Sequence, residues 1–187
     1  MSPVWHSSAQ QDRAVLALLG AKRGGYFIDL TASAPVKDSN TLALERDYGW
    51  GGLCLEPRPY FQLRTNTTRR CRVAAITNES QPGIGTAAEW QRALGEGDDR
   101  AGTSAVTFSH LFRAFAVPRH IDYLSLNADG AEDDLMATFP FETHTVSIVS
   151  VQRPSSQLMQ LFRAQQYVYL CDCGLAGNML FVHREAL

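Results

Sequence analysis

Acidic and amide side chains follow several of the strands that hydrophobic periodicity predicts in this chain of 187 residues. Asp29 lies within the first apolar run, and Glu56 ends the second. Asn127 and Asp129 follow the fourth strand. Parallel strands bring their carboxyl ends to one edge of a sheet, where open α/β sheets bind ligands. A carboxylate at that edge can accept hydrogen bonds from ribose hydroxyls, so these positions indicate a nucleotide-cofactor site.

The elements that would position these residues alternate between strand and helix. Apolar runs bounded by glycine and proline predict strands at 26–30, 52–56, 71–76, 121–126 and 144–151, with a closing antiparallel pair at 167–170 and 179–183. Helical periodicity and capping residues predict helices at 10–19, 38–48, 59–66, 87–94, 130–138 and 155–165. This order predicts a doubly wound, mainly parallel, Rossmann-like α/β sheet with helices on both faces. We expect one domain over residues 1–187, with an N-terminal helix in 1–23 and the sheet with its crossover helices in 24–187.

The composition bears on the partners and the location of the chain. Seventeen basic and nineteen acidic side chains give a formal net charge of -2, so no nucleic-acid partner is expected. No apolar run approaches the roughly 20 residues that cross a bilayer, and residues 1–11 lack the layout of a signal peptide. We therefore expect an intracellular protein without a transmembrane segment. The choice between the cytoplasm and an organelle such as the mitochondrion stays open.

Several short motifs in a consistent order carry a family resemblance. They are FIDL at 27–30, SNT at 39–41, LE at 44–45, GWGGLCLEP at 49–57, IDYLSL at 121–126 and GAE at 130–132. On these motifs the chain resembles the FkbM family of S-adenosylmethionine-dependent methyltransferases over most of residues 26–183. The resemblance implies a class I methyltransferase fold of about seven strands, the last of them antiparallel. It also implies O-methylation of small hydroxyl-bearing molecules.

The chain departs from this family in the loop after the first strand. The family carries two glycines there, whereas residues 29–35 of this chain read DLTASAP. Glycine allows a tight turn with positive φ and a close approach of the cofactor, and Thr31 and Pro35 add bulk instead. Thr31, Ala32 and Ser33 are the loop positions that the resemblance assigns to the cofactor.

Further departures follow the fourth and fifth strands. Asn127 and Asp129 stand where the family has aspartate and glutamate, and Gln152 stands where it has glutamate. An amide cannot act as a general base or as an anionic ligand, and aspartate reaches about one methylene less far than glutamate. All of these changes fall at the edge of the sheet that would face the cofactor.

Two functions fit this pattern. The first is a catalytically degenerate methyltransferase-like domain, without a cofactor, that acts as a structural or accessory subunit among protein partners in a larger assembly. The alternative is an active S-adenosylmethionine-dependent O-methyltransferase on a small hydroxyl-bearing substrate. In the alternative, Asp29, residues 31–33, Glu56 and Asn127 would hold the cofactor, and Asp129 would be catalytic. A weaker third reading is that the altered pocket binds another nucleotide or a small metabolite.

No metal site is expected from the histidines and cysteines. The five histidines are scattered, and Cys171 and Cys173 form a C-x-C pair without a second cysteine pair or a nearby histidine. Cys54 and Cys71 lie in predicted strands, where a buried free cysteine behaves as a small apolar residue.

Three remaining features allow more than one interpretation. Asp122 and Ser125 in the fourth strand could be catalytic, although they face opposite ways and a solvated or capping role fits them equally. The arginines at 69, 70 and 72 could contact a phosphate or an acidic partner, but such a cluster is more typical of a solvated loop. The apolar segment 108–117 fits core packing over the sheet or a partner-binding patch.

Overall fold

Strands and helices alternate along much of the described chain, as the sequence predicts. The computed structural model describes residues 3–30, 36–55, 69–74, 108–128, 130, 132–174 and 177–187. The strands are β1 (Tyr26–Leu30), β2 (Gly51–Leu55), β3 (Arg72–Ala74), β4 (His120–Leu126), β5 (Thr145–Gln152), β6 (Tyr167–Cys173) and β7 (Asn178–His183). The helices are α1 (Gln11–Leu18), α2 (Leu42–Tyr48), α3 (Phe108–Ala114), α4 (Glu132–Ala137) and α5 (Ser156–Ala164), followed by a 3-10 turn at Arg184–Ala186.

The described strands form one seven-stranded sheet in the order β3-β2-β1-β4-β5-β7-β6. Strands β1 to β5 pair in parallel, and β7 is antiparallel to both of its neighbours. This topology confirms the predicted doubly wound, Rossmann-like sheet with an antiparallel last strand. The strand order reverses between β1 and β4, so the carboxyl ends of these two strands mark the edge where such sheets bind ligands. We call it the switch-point edge.

Helices cover both faces of the sheet because its central strands are apolar on both faces. In β1, Ile28 and Leu30 face one core cluster, and Phe27 faces the other. The first cluster includes buried residues of α3, α4 and α5. The second includes Val15 and Leu16 of α1. Full burial of one large apolar side chain contributes roughly 1.5–3 kcal/mol, so the two clusters hold the sheet between its helices.

The apolar segment 108–117 packs into the first core cluster. Phe108 and Leu111 of α3 are fully buried. The rings of Phe108, Phe112 and Phe139 meet edge to face at centroid distances of 5.2 to 5.6 Å. Of the two interpretations of this segment, core packing is therefore confirmed.

Capping residues set the ends of α2 and α5. Ser39 Oγ accepts a hydrogen bond from the Leu42 amide at 3.1 Å, and Gly49 ends α2 with a φ of 71°. At the start of α5, Ser155 Oγ accepts from the Leu158 amide at 2.9 Å. These serines satisfy amides that have no partner inside the helix, and the glycine adopts the left-handed conformation that ends one.

Cys54 of β2 and Cys71, which directly precedes β3, form a disulfide. The prediction of free cysteines at these positions is wrong. Because β2 and β3 are parallel neighbours, the two Cα atoms lie 5.9 Å apart, a separation that a disulfide can span. Periodicity placed both residues in or next to strands, but it carried no information about which strands are neighbours.

Gly52 lies where β2 approaches β1 closely. A Cβ on Gly52 would lie 2.6 Å from the Phe27 ring. A Cβ on the preceding Gly51 would have its nearest neighbour at 4.0 Å. Glycine is therefore required at position 52 and replaceable at position 51.

Two predicted helices, at 59–66 and 87–94, lie outside the described residues. In the part of the chain that is described, no helix is long and apolar enough to cross a membrane. The same ranges contain no group of three or more histidine, cysteine, aspartate or glutamate residues that could hold a metal ion.

Candidate functional site

Asp29 lies at the end of β1, on the switch-point edge. It is 5% exposed, and its Oδ2 accepts a hydrogen bond from the Thr41 hydroxyl at 2.6 Å. In the sheet it pairs with Cys54 of β2 and Ser125 of β4. One oxygen of the carboxylate that the sequence assigns to a cofactor is thus bonded to the residue before α2.

Arg69 lies at the centre of the contacts around Thr41. Its side chain is fully buried. Its Nη2 donates to Thr41 Oγ1 at 2.8 Å, and its Nη1 donates to Ser39 Oγ at 3.1 Å. Its Nε donates to Glu45 Oε2 at 3.2 Å and completes a buried ion pair. The interpretation of Arg69 as part of a solvated loop is wrong, because this residue packs against the start of α2.

The other two arginines of the cluster are exposed. The guanidinium of Arg72 lies over the Phe115 ring, 5.1 Å from its centroid. Arg70 donates its backbone amide to Glu45. The three arginines therefore have different surroundings, and they do not form one shared anion site.

Glu45 of α2 carries the negative charge of the buried pair. Its carboxylate also accepts from the backbone amides of Arg70 at 2.8 Å and Cys71 at 3.1 Å. Removing such a pair from water costs several kcal/mol per ion unless hydrogen bonds satisfy both charges, and here the protein provides those bonds. We call the residues of these contacts the switch-point network: Asp29, Ser39, Thr41, Glu45 and Arg69. The network joins the end of β1, the start of α2 and the residues before β3.

Asn40 connects the N-terminal segment to the same edge. Its Nδ2 donates to Ser125 Oγ of β4 at 3.0 Å, and its Oδ1 lies 2.7 Å from the Ser7 hydroxyl. The Ser7 backbone amide donates to the buried Asp12 at 3.2 Å. The residues before α1 are therefore held against the segment that leads into α2.

Tyr123 of β4 is a buried neutral hydroxyl. Its oxygen lies 2.6 Å from Ser150 Oγ of β5. Burial raises the pKa of Tyr123 well above its ordinary value of 10.0, a shift that the Ser150 hydrogen bond opposes and the charge of Asp29 increases. Tyr123 therefore contributes packing and one hydrogen bond to the sheet, and it is not available as a base at neutral pH.

The loop after β4 is held by Glu132 of α4. One carboxylate oxygen accepts from the Ala128 amide at 2.7 Å, and the other accepts from the Gly130 amide at 2.9 Å. Gly130 has a φ of 100°, which favours glycine. Asn127 is exposed at the start of this loop. The switch-point edge therefore presents an amide to solvent at the position where the family resemblance leads one to expect a carboxylate.

Asp122 lies at the opposite edge of the sheet and has a capping role. Its Oδ2 accepts from the Tyr26 amide at 2.9 Å, and its Oδ1 pairs with Lys22 Nζ at 2.6 Å. Asp122 is buried, so the solvated alternative does not apply. Ser125 faces the other way and accepts from Asn40, so the two side chains do not act together.

Comparison with solved structures identifies the fold. The delta-N METTL16 MTase domain aligns with a TM-score of 0.54 at 12% identity, over 96% of this chain and 84% of that one. A second METTL16 MTase domain structure (crystal form 2) gives 0.51 at 13% identity, over 90% and 64%. A TehB-like SAM-dependent methyltransferase from Corynebacterium glutamicum ATCC 13032 Kitasato gives 0.50 at 8% identity, over 93% and 88%. This chain has the class I methyltransferase fold. No protein-family model and no curated protein matches it.

The structure describes some of the sequence-derived site residues and not others. Of those predicted for the cofactor, Asp29 and Asn127 are described and lie on the switch-point edge. Residues 31–33, Glu56 and the catalytic candidate Asp129 lie outside the described residues. Gln152 is half-buried at the end of β5.

Sequence reasoning missed the polar residues that support this edge. Glu45, Arg69 and Glu132 were not assigned a role at the site. The one local signal was the spacing of Glu132, two residues after Gly130, which allows its carboxylate to reach back to the loop amides. Nothing local could have paired Arg69 with Glu45, since they are 24 residues apart.

Proposed function

We propose that this chain is a methyltransferase-fold domain that no longer transfers methyl groups and serves as an accessory subunit of a larger protein assembly. One observation carries the proposal. Among the described residues of the switch-point edge, the carboxylates of Asp29 and Glu132 are hydrogen-bonded to protein groups, and residue 127 exposes an amide. Methyl transfer to a hydroxyl is helped by a positioned base, and this part of the edge offers none.

Among the described residues, in contrast, the supporting frame keeps its contacts. The switch-point network satisfies its buried charges, and both core clusters are closed around the sheet. Random loss of function would be expected to damage the frame and the edge alike. Supporting contacts that persist beside an edge whose described residues offer no base are typical of a domain retained for its shape.

The described residues fit S-adenosylmethionine poorly. Asp29 is buried and bonded to Thr41, which leaves Asn127 as the described, exposed polar side chain of the sequence-derived site. Asn127 can donate and accept hydrogen bonds but supplies no charge. We therefore derive no methyl-transfer step.

Calorimetric titration of the full chain with S-adenosylmethionine and S-adenosylhomocysteine tests the proposal. We expect no binding heat at millimolar ligand. A dissociation constant in the micromolar range would overturn the degenerate assignment. In that case Asn127→Ala should weaken binding, while Ala at the exposed Glu142 should leave it unchanged.

The accessory role needs its own measurement, because absence of cofactor does not establish a partner. Purification from the native source, followed by native mass spectrometry, should show stoichiometric protein companions. Recovery of the chain alone at native concentration would contradict the accessory role. The two experiments separate loss of catalysis from gain of an assembly function.

An active O-methyltransferase is the second candidate. Two backbone contacts after β4 favour it, because Glu132 accepts from the Ala128 and Gly130 amides beside the exposed Asn127. If bound, S-adenosylmethionine would supply the methyl group, and holding both reactants in line would provide much of the rate. Micromolar binding in the titration above would favour this candidate. The prediction that the chain has no nucleic-acid partner stays a prediction.

The Cys54–Cys71 disulfide is evidence about the cellular compartment of the chain. Structural disulfides are typical of oxidising compartments and are rare in the reducing cytosol. We therefore favour an oxidising organellar compartment over the cytoplasm within the predicted intracellular location. Alkylation with mass spectrometry on protein from the native source would test this, and fully alkylated Cys54 and Cys71 would contradict it.

A further inference from the structure

Strand β6 is the last strand on one side of the sheet. Among the described strands it pairs with β7 alone, so its outer edge carries backbone N–H and C=O groups that no described strand bonds. A bulge between Tyr169 and Cys171 interrupts its pairing with β7. The strand contains neither lysine nor proline, the residues that commonly protect such an edge. The outer edge of β6 is therefore a template on which another strand can pair.

The centre of this outer edge is apolar and exposed. Tyr169 and Leu170 are 48% and 41% exposed. Cys171, next along the strand, is a free and exposed thiol. Cys173 lies on the same face as Cys171 but is only 7% exposed. A strand that paired here would remove the surface of Tyr169 and Leu170 from water, and removal of apolar surface from water favours association.

Exposed charges of opposite sign flank this apolar centre on one face of the sheet. Asp172, near the end of β6, is opposite Met179, which packs on the first core cluster. Arg163 lies in the last turn of α5, the helix that covers the same face and leads into the start of β6. Arg184 and Glu185, which follow β7, are exposed and carry opposite charges. The end of β6 is therefore acidic on this face, and its start lies next to a basic side chain.

We propose that β6 pairs antiparallel with β6 of a second copy of this chain, about a two-fold axis near Leu170, and so joins two seven-stranded sheets into one. Such an axis brings the two apolar centres together. It also brings Asp172 of each copy towards Arg163 of the other, because antiparallel pairing places the end of one strand beside the start of its neighbour. The pattern of charge and apolar surface along β6 is thus complementary to itself, which makes a second copy the partner that fits.

The contact between the two copies is small. The strand has seven residues, whereas a stable interface of standard size buries about 800 Å² on each partner. We therefore expect a weak dimer with a dissociation constant in the micromolar range. The pairing is independent of the proposed function, because β6 contains no residue of the switch-point network. It is tested on the purified chain without other proteins, so its failure would leave the accessory role untouched.

Sedimentation velocity of the full chain, with its Cys54–Cys71 bond intact, measures the association. From low micromolar to several hundred micromolar protein, the mass should rise from 20.7 kDa towards twice that value. Leu170→Lys should stay monomeric, since lysine at an edge opposes strand pairing. The matched control is Leu18→Lys, because Leu18 is 43% exposed at the end of α1, away from β6, and its variant should associate like wild type. Wild type that stays monomeric, or Leu170→Lys that associates as wild type does, would overturn the proposal.

A charge exchange tests the antiparallel orientation. Asp172→Lys and Arg163→Glu, each alone, place like charges near each other in both contacts of the dimer and should weaken association about tenfold. An equal mixture of the two variants should associate like wild type, because each contact of the mixed dimer again joins opposite charges. A mixture that associates no better than either variant alone would refute this arrangement.

Cys171 reports the position of the interface without any substitution. A short cross-linker that reacts with two thiols should join two wild-type copies through Cys171, because the two thiols lie near the proposed axis. Leu170→Lys retains Cys171 but should give far less cross-linked dimer at the same concentration. This comparison also excludes links formed by random collision. A wild-type dimer that is not linked through Cys171 would place the interface elsewhere and contradict the pairing of β6.

Discussion

Replacing Arg69 by methionine removes a positive charge from the centre of the switch-point network and keeps a side chain of similar length. Three hydrogen bonds disappear, to Ser39, Thr41 and Glu45. Glu45 is 2% exposed in the wild type, so the variant leaves its carboxylate buried without the Arg69 charge. Breaking a buried ion pair costs about 3–5 kcal/mol. Because two backbone amides still donate to Glu45, we expect the lower end, about 3 kcal/mol.

The matched control is Arg23→Met. Arg23 is exposed, donates to the Asp47 carbonyl at 2.9 Å and lies 5.6 Å from the Tyr48 ring centroid. Solvent-exposed contacts of this kind contribute less than about 1 kcal/mol. The same chemical change at Arg23 should therefore cost far less than at Arg69. Comparing the two variants separates the stability lost by breaking a buried ion pair from the stability lost by removing any arginine side chain.

Urea unfolding without reductant, followed by tryptophan fluorescence, measures both variants. Trp50 is 3% exposed in the second core cluster and reports loss of that core. A loss of about 3 kcal/mol should lower the urea midpoint without changing the slope of the free energy of unfolding against urea concentration. In a thermal melt the same loss should lower the melting temperature by roughly 6–12 °C. Adding Glu45→Gln to Arg69→Met should recover part of the loss, since it removes the unpaired charge. If Arg69→Met were no less stable than Arg23→Met, the buried pair would not stabilise the edge.

Three other changes follow from the same structure. Gly52→Ala should cost about 1–3 kcal/mol in urea unfolding, because its Cβ would collide with β1. Gly51→Ala, whose Cβ would have its nearest neighbour at 4.0 Å, should leave the free energy of unfolding nearly unchanged. Equal effects of the two variants would contradict this prediction. Burial raises the pKa of Tyr167 from 10.0 to about 12, so its stabilisation is complete below pH 10.0 and declines as pH rises towards 12. Tyr167→Phe should therefore flatten the alkaline loss of stability in urea midpoints, and an unaltered slope would disprove it. The double variant Cys54→Ala/Cys71→Ala opens a cross-link with a sequence separation of 17 and should lose about 3 kcal/mol, most of which reduction of wild type should reproduce.

Local patterns were enough to predict most elements. The first strand begins and ends at the expected residues, Tyr26 and Leu30, because a short apolar run that follows two glycines leaves few alternatives. The helices that end before Gly49 and begin after Ser155 lie close to their predicted positions, since capping depends on residues within one turn. Helix and strand ends differ from the prediction by a few residues: α2 begins at Leu42, whose amide donates to Ser39 outside the helix, and β6 extends to Cys173.

The candidate site depended more on tertiary contacts than on local pattern. The sequence marked Asp29 and Asn127 as edge residues, and the sheet brings both to the switch-point edge. It gave no sign that Thr41 would bond Asp29 or that Arg69 would bond Thr41, because those contacts join segments far apart in the chain. The direction of a polar side chain depends on which partner is nearby once the strands are paired.

The sequence by itself determined the order of strands and helices and the doubly wound class. These properties follow from apolar residues that repeat every two positions in strands and every 3.6 in helices, and from capping residues, all of which act over a few positions. Only the tertiary structure decided that Arg69 pairs with Glu45, that Cys54 bonds Cys71, and that Cys171 and Cys173 share a face. Each of these depends on strand neighbours and register, which are fixed when distant segments bury their apolar faces together.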